Sequence, residues 1–287
     1  MTLTMAFCIT IAMAVIETVG GILSNSLALL GDAGHMFMDS FALGLSLFAF
    51  EVAQKPATPS RTYGYRRAEI LAALVNGIVL ILVAIYIFYE AYSRFIKMPE
   101  IRGSLMLIVA LVGFFVNLIV LSLLKKVGHD NLNIKGAFLH VLGDTMSSIG
   151  VIIAALAISF TGVKLVDPLM SLIIGGIILR GAIGLVTESG RVLLEATPKG
   201  INVIDIINET KKIEGVRDLH DLHVWTITSG LHAMSGHLLI EDQMVSKASE
   251  ILAKVSEILR KKFGIAHVTI QVECEKCEDP FICKLEA

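Results

Sequence analysis

Two histidine–aspartate pairs stand out: His35 and Asp39 in "GDAGHMFMDS", and His140 and Asp144 in "HVLGDTMSS", each spaced i, i+4. Four residues of α-helix advance about 6 Å and return nearly to the same face. Each pair therefore presents an imidazole nitrogen and a carboxylate oxygen one turn apart on one side of a helix. Face to face, two such helices would offer two nitrogens and two oxygens, a tetrahedral set suited to a divalent transition ion. Two ionised aspartates with two neutral histidines balance a 2+ charge, so the filled cluster is neutral overall. A lone histidine in such a place is equally well explained by an interhelical hydrogen bond. Two matched pairs ask for more.

The elements that carry these pairs are apolar runs. The chain is 55% hydrophobic and only 17% charged, against roughly 25% charged in an ordinary soluble domain, and its mean hydropathy is +0.75. Runs long enough to cross a bilayer lie near residues 4–23, 27–50, 68–92, 103–124, 136–160 and 166–187. The pairs fall in the second and fifth. A charge at mid-bilayer costs at least about 2.5–3.5 kcal/mol on insertion scales, and mutual ligation of an ion removes that cost. Asp32 points to another side of its helix and reads as structural or as an entrance residue. Glu17, Asn25, Asn76 and Asn117 read as helix-packing or pathway residues.

The first run lacks a basic leader and a small-residue cleavage site, so it reads as a retained helix. Lys55, Arg61, Arg66 and Arg67 lie between spans two and three, and Lys125, Lys126 and Lys135 between four and five. The other side holds Arg94, Lys97, Arg102 and Lys164. That bias places both termini in the cytosol, and the expected location is a plasma or inner membrane. A net charge of -2 with no basic face argues against a nucleic-acid partner. His35 and His140 are 105 residues apart, as are Asp39 and Asp144. This spacing points to an internal duplication of three spans, with the second half inverted and the site at the repeat interface.

From about Arg191 the texture changes. "GINVIDIINETKKIEGV" and "VSKASEILAKVSEILRKKFG" have helical apolar spacing, whereas "VRDLHDLHVWTIT", "LHAMSGHLLIE" and "HVTIQVEC" alternate as strands do. The expected organisation is a membrane domain over 1–190 and a small α+β domain over 191–287, ordered helix, strand, strand, helix, strand. Cys8 lies in the first span, and Cys274, Cys277 and Cys283 cluster in "CEKCEDPFIC". In a reducing compartment such cysteines are better read as metal thiolates than as a disulfide. One Cys-x-x-Cys is a weak signal and needs partners, for which His220, His223, His232, His237 and His267 are available. Trp225 reads as a core or domain-interface residue.

Four stretches, "SNSLALLGDAGHMFMDS" (24–40), "YGYRRAEILAALVNG" (63–77), "HVLGDTMSSIGV" (140–151) and "DLHDLHVWTI" (218–227), resemble the cation diffusion facilitator family of zinc transporters in order and over essentially the whole chain. The resemblance implies a homodimer of six-span chains with a ferredoxin-like cytosolic domain, exporting zinc from the cytosol in exchange for protons. It implies that His35, Asp39, His140 and Asp144 form the transport site. A histidine rather than an aspartate at position 35 resembles the zinc-preferring members, with cadmium and cobalt as further candidate cargo. It also implies a cytosolic zinc site drawing on His220, His237, Glu273, Cys277 and Cys283. His267 lies about 20 Å along the same strand from Glu273, too far to share its ion within one subunit. A charged pair at the membrane interface is implied for Arg67 and Glu195, with Glu69 and Lys199 as competitors.

The chain departs from some relatives in having no histidine in "PATPSRTYGYRR" and only His129 between spans four and five, so no metal site is expected in either loop. The rival readings are a membrane metal sensor without flux, and a haem carrier disfavoured by the aspartates beside each histidine. An intramembrane metalloprotease is disfavoured by the lack of HExxH, and no enzyme activity is expected.

Overall fold

The computed structural model describes residues 2–126 and 132–275, and their side chains except at 2–7, 43, 46, 124–126 and 132–140. Six long helices come first: α1 (Thr2–Ser24), α2 (Leu27–Ala53), α3 (Ala68–Lys97), α4 (Gly103–Lys126), α5 (Leu132–Thr161) and α6 (Val166–Leu193). Among the described residues, α2 to α6 are each long and apolar enough to cross a membrane. The 23 residues of α1 span about 35 Å at 1.5 Å per residue, also enough for a hydrocarbon core of about 30 Å. The two compact units of the chain are residues 1–48 with 72–186, and residues 49–71 with 187–287.

In the first unit the usual arrangement of polar and apolar residues is inverted. Leu82, Ile85, Tyr86, Tyr89 and Ile177 are exposed, whereas Glu17, Asp32, Asn117, Asp144, Ser148 and Asp167 are buried. A helix bundle in lipid has no reason to hide its hydrocarbon and every reason to hide its charge. Small side chains, Ala28, Ala84, Ala110, Ala154, Ala155 and Ala182, are interleaved with Leu29, Ile87, Met106 and Ile178 in the core. Small residues let helices approach until backbone and side chain interlock. Where α1 meets α4, a Cβ at Gly20 would sit 2.6 Å from a methyl of Val109, so only glycine fits.

The α1–α2 corner is held from other helices. Asn25 takes up a left-handed conformation (φ 57°), turning the chain so that Ser26 caps α2 with its Oγ accepting from the Leu29 N–H at 3.2 Å. Asp167, in the first turn of α6, accepts from the N–H groups of Leu27 (2.8 Å) and Ala28 (3.2 Å). The last turn of α3 contributes Arg94, which donates to the Asn25 carbonyl at 2.6 Å and lies 3.6 Å from Asp167 Oδ2.

In the second unit, α7 (Val203–Thr210), β1 (Val216–Thr228), β2 (Leu231–Ile240), α8 (Val245–Phe263) and β3 (Ile265–Glu273) follow the expected helix, strand, strand, helix, strand order. The sheet runs β1-β2-β3, with β1 antiparallel to β2 and β2 parallel to β3. A two-residue turn containing Gly230 (φ 74°) joins β1 to β2, and α8 makes the crossover that a parallel pair requires. Asn202 caps α7 by accepting from the Ile204 N–H, and Gly264 ends α8 in the left-handed conformation. Ile206, Leu219, Val224, Met234, Leu238, Val255 and Leu259 fill the space between helices and sheet. Trp225 is only half-buried on the edge strand β1.

Candidate metal centre

Helix α2 carries His35 and Asp39 on one face, and their Nε2 and Oδ2 atoms stand 3.4 Å apart. Helix α5 brings Asp144 against them: one donor atom from each of the three lies within 4.8 Å of the others. Two ligands about 2.1 Å from a common ion at a tetrahedral angle are separated by about 3.4 Å, so the His35–Asp39 spacing is that of a shared ion. Asp144 is only 3% exposed, while His35 and Asp39 are part-buried. The backbone of His140 belongs to α5, one turn before Asp144, and its side chain lies outside the described residues.

The hydroxyl residues beside each pair turn away from it. Ser40 and Thr145 donate to carbonyls in their own helices, Met36 at 3.0 Å and Val141 at 2.7 Å. Two other hydroxyls of α5, carrying no signal beyond the run "DTMSS", hold the helices in register. Ser147 donates to Asp32 of α2 at 2.6 Å, and Asn117 of α4 donates to Ser148 at 3.4 Å. Asp32 therefore sits beside the cluster as a bridge between α2 and α5.

A second cluster lies on the sheet. His220 of β1 is directly opposite His237 of β2, and Glu273 ends the neighbouring strand β3. His220 Nε2 is 3.3 Å from Glu273 Oε2 and His237 Nδ1 is 2.7 Å from Glu273 Oε1. Despite these short separations, His220 Nε2, His237 Nδ1 and Glu273 Oε2 have no hydrogen-bond partner among the described residues. One donor atom from each of the three lies within 4.8 Å of the others, close enough to share one ion. His220 is 1% exposed, so two bare ring nitrogens there are costly without a partner.

A β-bulge between His220 and His223 puts Asp221 in the left-handed region (φ 48°) and aims it at this cluster. One carboxylate oxygen of Asp221 is 3.7 Å from His237 Nε2 and the other is 3.4 Å from His223 Nε2. Sequence reasoning passed over Asp221; the signal was its place between two histidines in "HDLH". The remaining histidines are engaged elsewhere. His232 shares a 3.1 Å hydrogen bond with Thr226, and burial pushes its pKa below the usual imidazole value. His267 packs edge-on against Tyr63. Cys274 is exposed as a free thiol; Cys277, Cys283 and His129 lie outside the described residues.

Of the charged groups near the ends of α3 and α6, Arg67 pairs with Glu195 at 2.7 Å. Lys199 pairs with Glu188 at 2.5 Å. Glu69 accepts instead from Thr228, at the end of β1, at 2.7 Å.

Comparison with known proteins agrees with this architecture. Residues 3–194 match the family described as "Cation efflux transmembrane domain", and residues 198–275 match "Cation efflux protein, cytoplasmic domain". The chain is 45% identical over 276 residues to the cadmium, cobalt and zinc/H(+)-K(+) antiporter of Bacillus subtilis, covering 95% of this chain and 88% of that protein. It is 40% identical to the metal cation efflux system protein CzcD of Cupriavidus metallidurans, covering 96% of this chain and 87% of the relative. It is 39% identical to the zinc transporter ZitB of Pectobacterium atrosepticum, covering 96% and 85%. A family match to most of the chain, over helices that bury their charges and expose their hydrocarbon, leads to one conclusion: this protein belongs to the cation efflux family, integral membrane transporters of metal cations rather than enzymes.

Proposed function

We propose that the chain exports Zn2+ from the cytosol in exchange for protons, with Cd2+ and Co2+ as further cargo, through a site made by His35, Asp39, His140 and Asp144. The observation that carries this reading is the convergence of His35, Asp39 and Asp144 donor atoms within 4.8 Å inside the helix bundle. Two imidazoles and two carboxylates suit zinc, and neutral imidazole competes with its own protonation near neutral pH. A proton arriving on a ligand therefore weakens the hold on the ion. The named activities of the Bacillus and Pectobacterium relatives agree with metal efflux.

The reading extends to the rest of the molecule. Residues 1–190 form the transport domain and 191–287 a cytosolic domain through which two chains pair. Both termini face the cytosol. His220, His237 and Glu273 hold a resident zinc, completed by Cys277 and Cys283 and oriented by Asp221. A second reading, a metal sensor without flux, is favoured only by the presence of that second cluster on the sheet. Zinc uptake into sealed proteoliposomes under an imposed pH gradient separates the two. Transport driven by the gradient, lost in Asp144→Ala and altered in selectivity in His35→Asp, supports export; zinc binding with no flux supports the sensor.

A further inference from the structure

We propose that Glu17 of α1 carries the counter-ion of transport: its carboxyl group gives up a proton when a dication occupies the His35/Asp39/Asp144 cluster and regains one when the dication leaves. This rests on the proton-exchange reading above and assigns one exchanged proton, besides any that a ligand takes up, to a residue outside the metal-binding set.

Glu17 is 1% exposed, and its Oε2 is buried with no hydrogen-bond partner among the described residues. Helix α4, which packs on α1, makes room for this carboxyl group. A Cβ at Gly113 would collide with Glu17 Oε1, so the pocket is closed by glycine on one side and by Met13 of the same helix. Among the described residues, the charged groups near enough to act on it are Asp32 of α2 and Asp144 of α5, both acidic. Asp32 already accepts a hydrogen bond from Ser147.

A structural glutamate in lipid is held by donors or a cation; among the described residues, the charged groups acting on this one are carboxylates. A buried carboxylate beside two others cannot remain ionised without a compensating positive charge. When a dication neutralises Asp144 and its neighbours, the repulsion on Glu17 falls, and it falls in a low-dielectric interior where screening is weak. Ionisation of Glu17 then becomes tolerable. The O–H bond of the carboxyl breaks, the electron pair stays on oxygen, and the proton leaves to water. When the dication departs, Asp144 regains its charge and Glu17 must take up a proton again. Each turn of the cycle thus moves about one proton through Glu17 against one dication.

The test uses the full chain in proteoliposomes with an internal zinc dye and an internal pH dye, comparing wild type with Glu17→Gln. The isosteric amide keeps the shape and cannot ionise. The expected result is zinc flux with about one fewer proton exchanged per zinc. An unchanged ratio overturns this inference alone; wild-type zinc flux without proton movement overturns the exchange reading on which it rests. If Glu17→Gln folds without flux, calorimetric zinc titration in buffers of different ionisation heat counts protons released on binding, and a count equal to wild type overturns the inference. If it does not fold, Gly113→Ala presses on the same carboxylate while leaving it ionisable. A shifted pH for half-maximal flux with retained maximal rate supports the assignment, and an unmoved pH profile overturns it.

Discussion

Ser26, at the head of α2, donates a 2.5 Å hydrogen bond to Asp167 of α6, whose side chain is fully buried. The same carboxylate satisfies the first two N–H groups of α2 and lies beside Arg94 of α3. One residue of α6 thereby anchors the end of the helix that carries His35 and Asp39.

Removing that anchor uncaps α2 and leaves Arg94 with Glu90, 3.1 Å away, as its remaining carboxylate partner. Asp167→Ala is expected to destabilise the protein by about 1–3 kcal/mol, the range for leaving buried hydrogen-bonding groups unsatisfied. Thermal unfolding in detergent checks this. Asp167→Asn, which can still accept from the Leu27 and Ala28 N–H groups, should lose less.

Asp39→Ala and Asp144→Ala each strip a carboxylate from the bundle cluster and leave its charge unbalanced around a dication. Zinc flux should fall more than about 100-fold, beyond what loss of an outer-sphere partner costs. The thermal midpoint without zinc should stay near that of wild type. Near-normal flux in either variant would sink the site.

On the sheet, the prediction concerns bound metal. Zinc at 100 times its dissociation constant stabilises a folded chain by about 2.7 kcal/mol. His237→Ala and Glu273→Gln should each lower zinc bound per chain and abolish the zinc-induced rise in thermal midpoint. Metal analysis after gel filtration reads the first effect and calorimetry the second.

The Arg67–Glu195 pair lies on the surface, with both side chains more than a third exposed. A double-mutant cycle with Arg67→Gln and Glu195→Gln should give a stability coupling below about 1 kcal/mol. A larger value would mean that solvent does not reach the pair in the working protein.

Glu209 of α7 is an acid-sensitive point of the α/β domain. Hydrogen bonds from Lys212, at 2.5 Å, and Lys262 hold its pKa down at about 2, from an ordinary 4.5. Stability from this carboxylate is present in full above pH 4.5 and fades as pH falls from there through about 2. Glu209→Gln should therefore be less stable than wild type at neutral pH. The difference should close on acidification across that window, as circular dichroism of acid unfolding can read.

Much of this was legible from the order of residues. The i, i+4 period put His35 and Asp39 on one face of α2, apolar length separated the helices, and alternation marked β1, β2 and β3 with the helices between them, because these signals are local. Which helices meet is not local. That α5 sets Asp144 against α2, that Gly113 leaves space for the Glu17 carboxyl, and that Asp167 caps a helix 139 residues away in the chain follow from packing geometry alone. The bulge that turns Asp221 toward His237 is likewise a consequence of strand register. Residue types and spacing thus determined the chemistry the chain can offer; only close approach of distant backbones decided which charges share a site, since in a lipid-embedded bundle each buried charge must find its partner across helices.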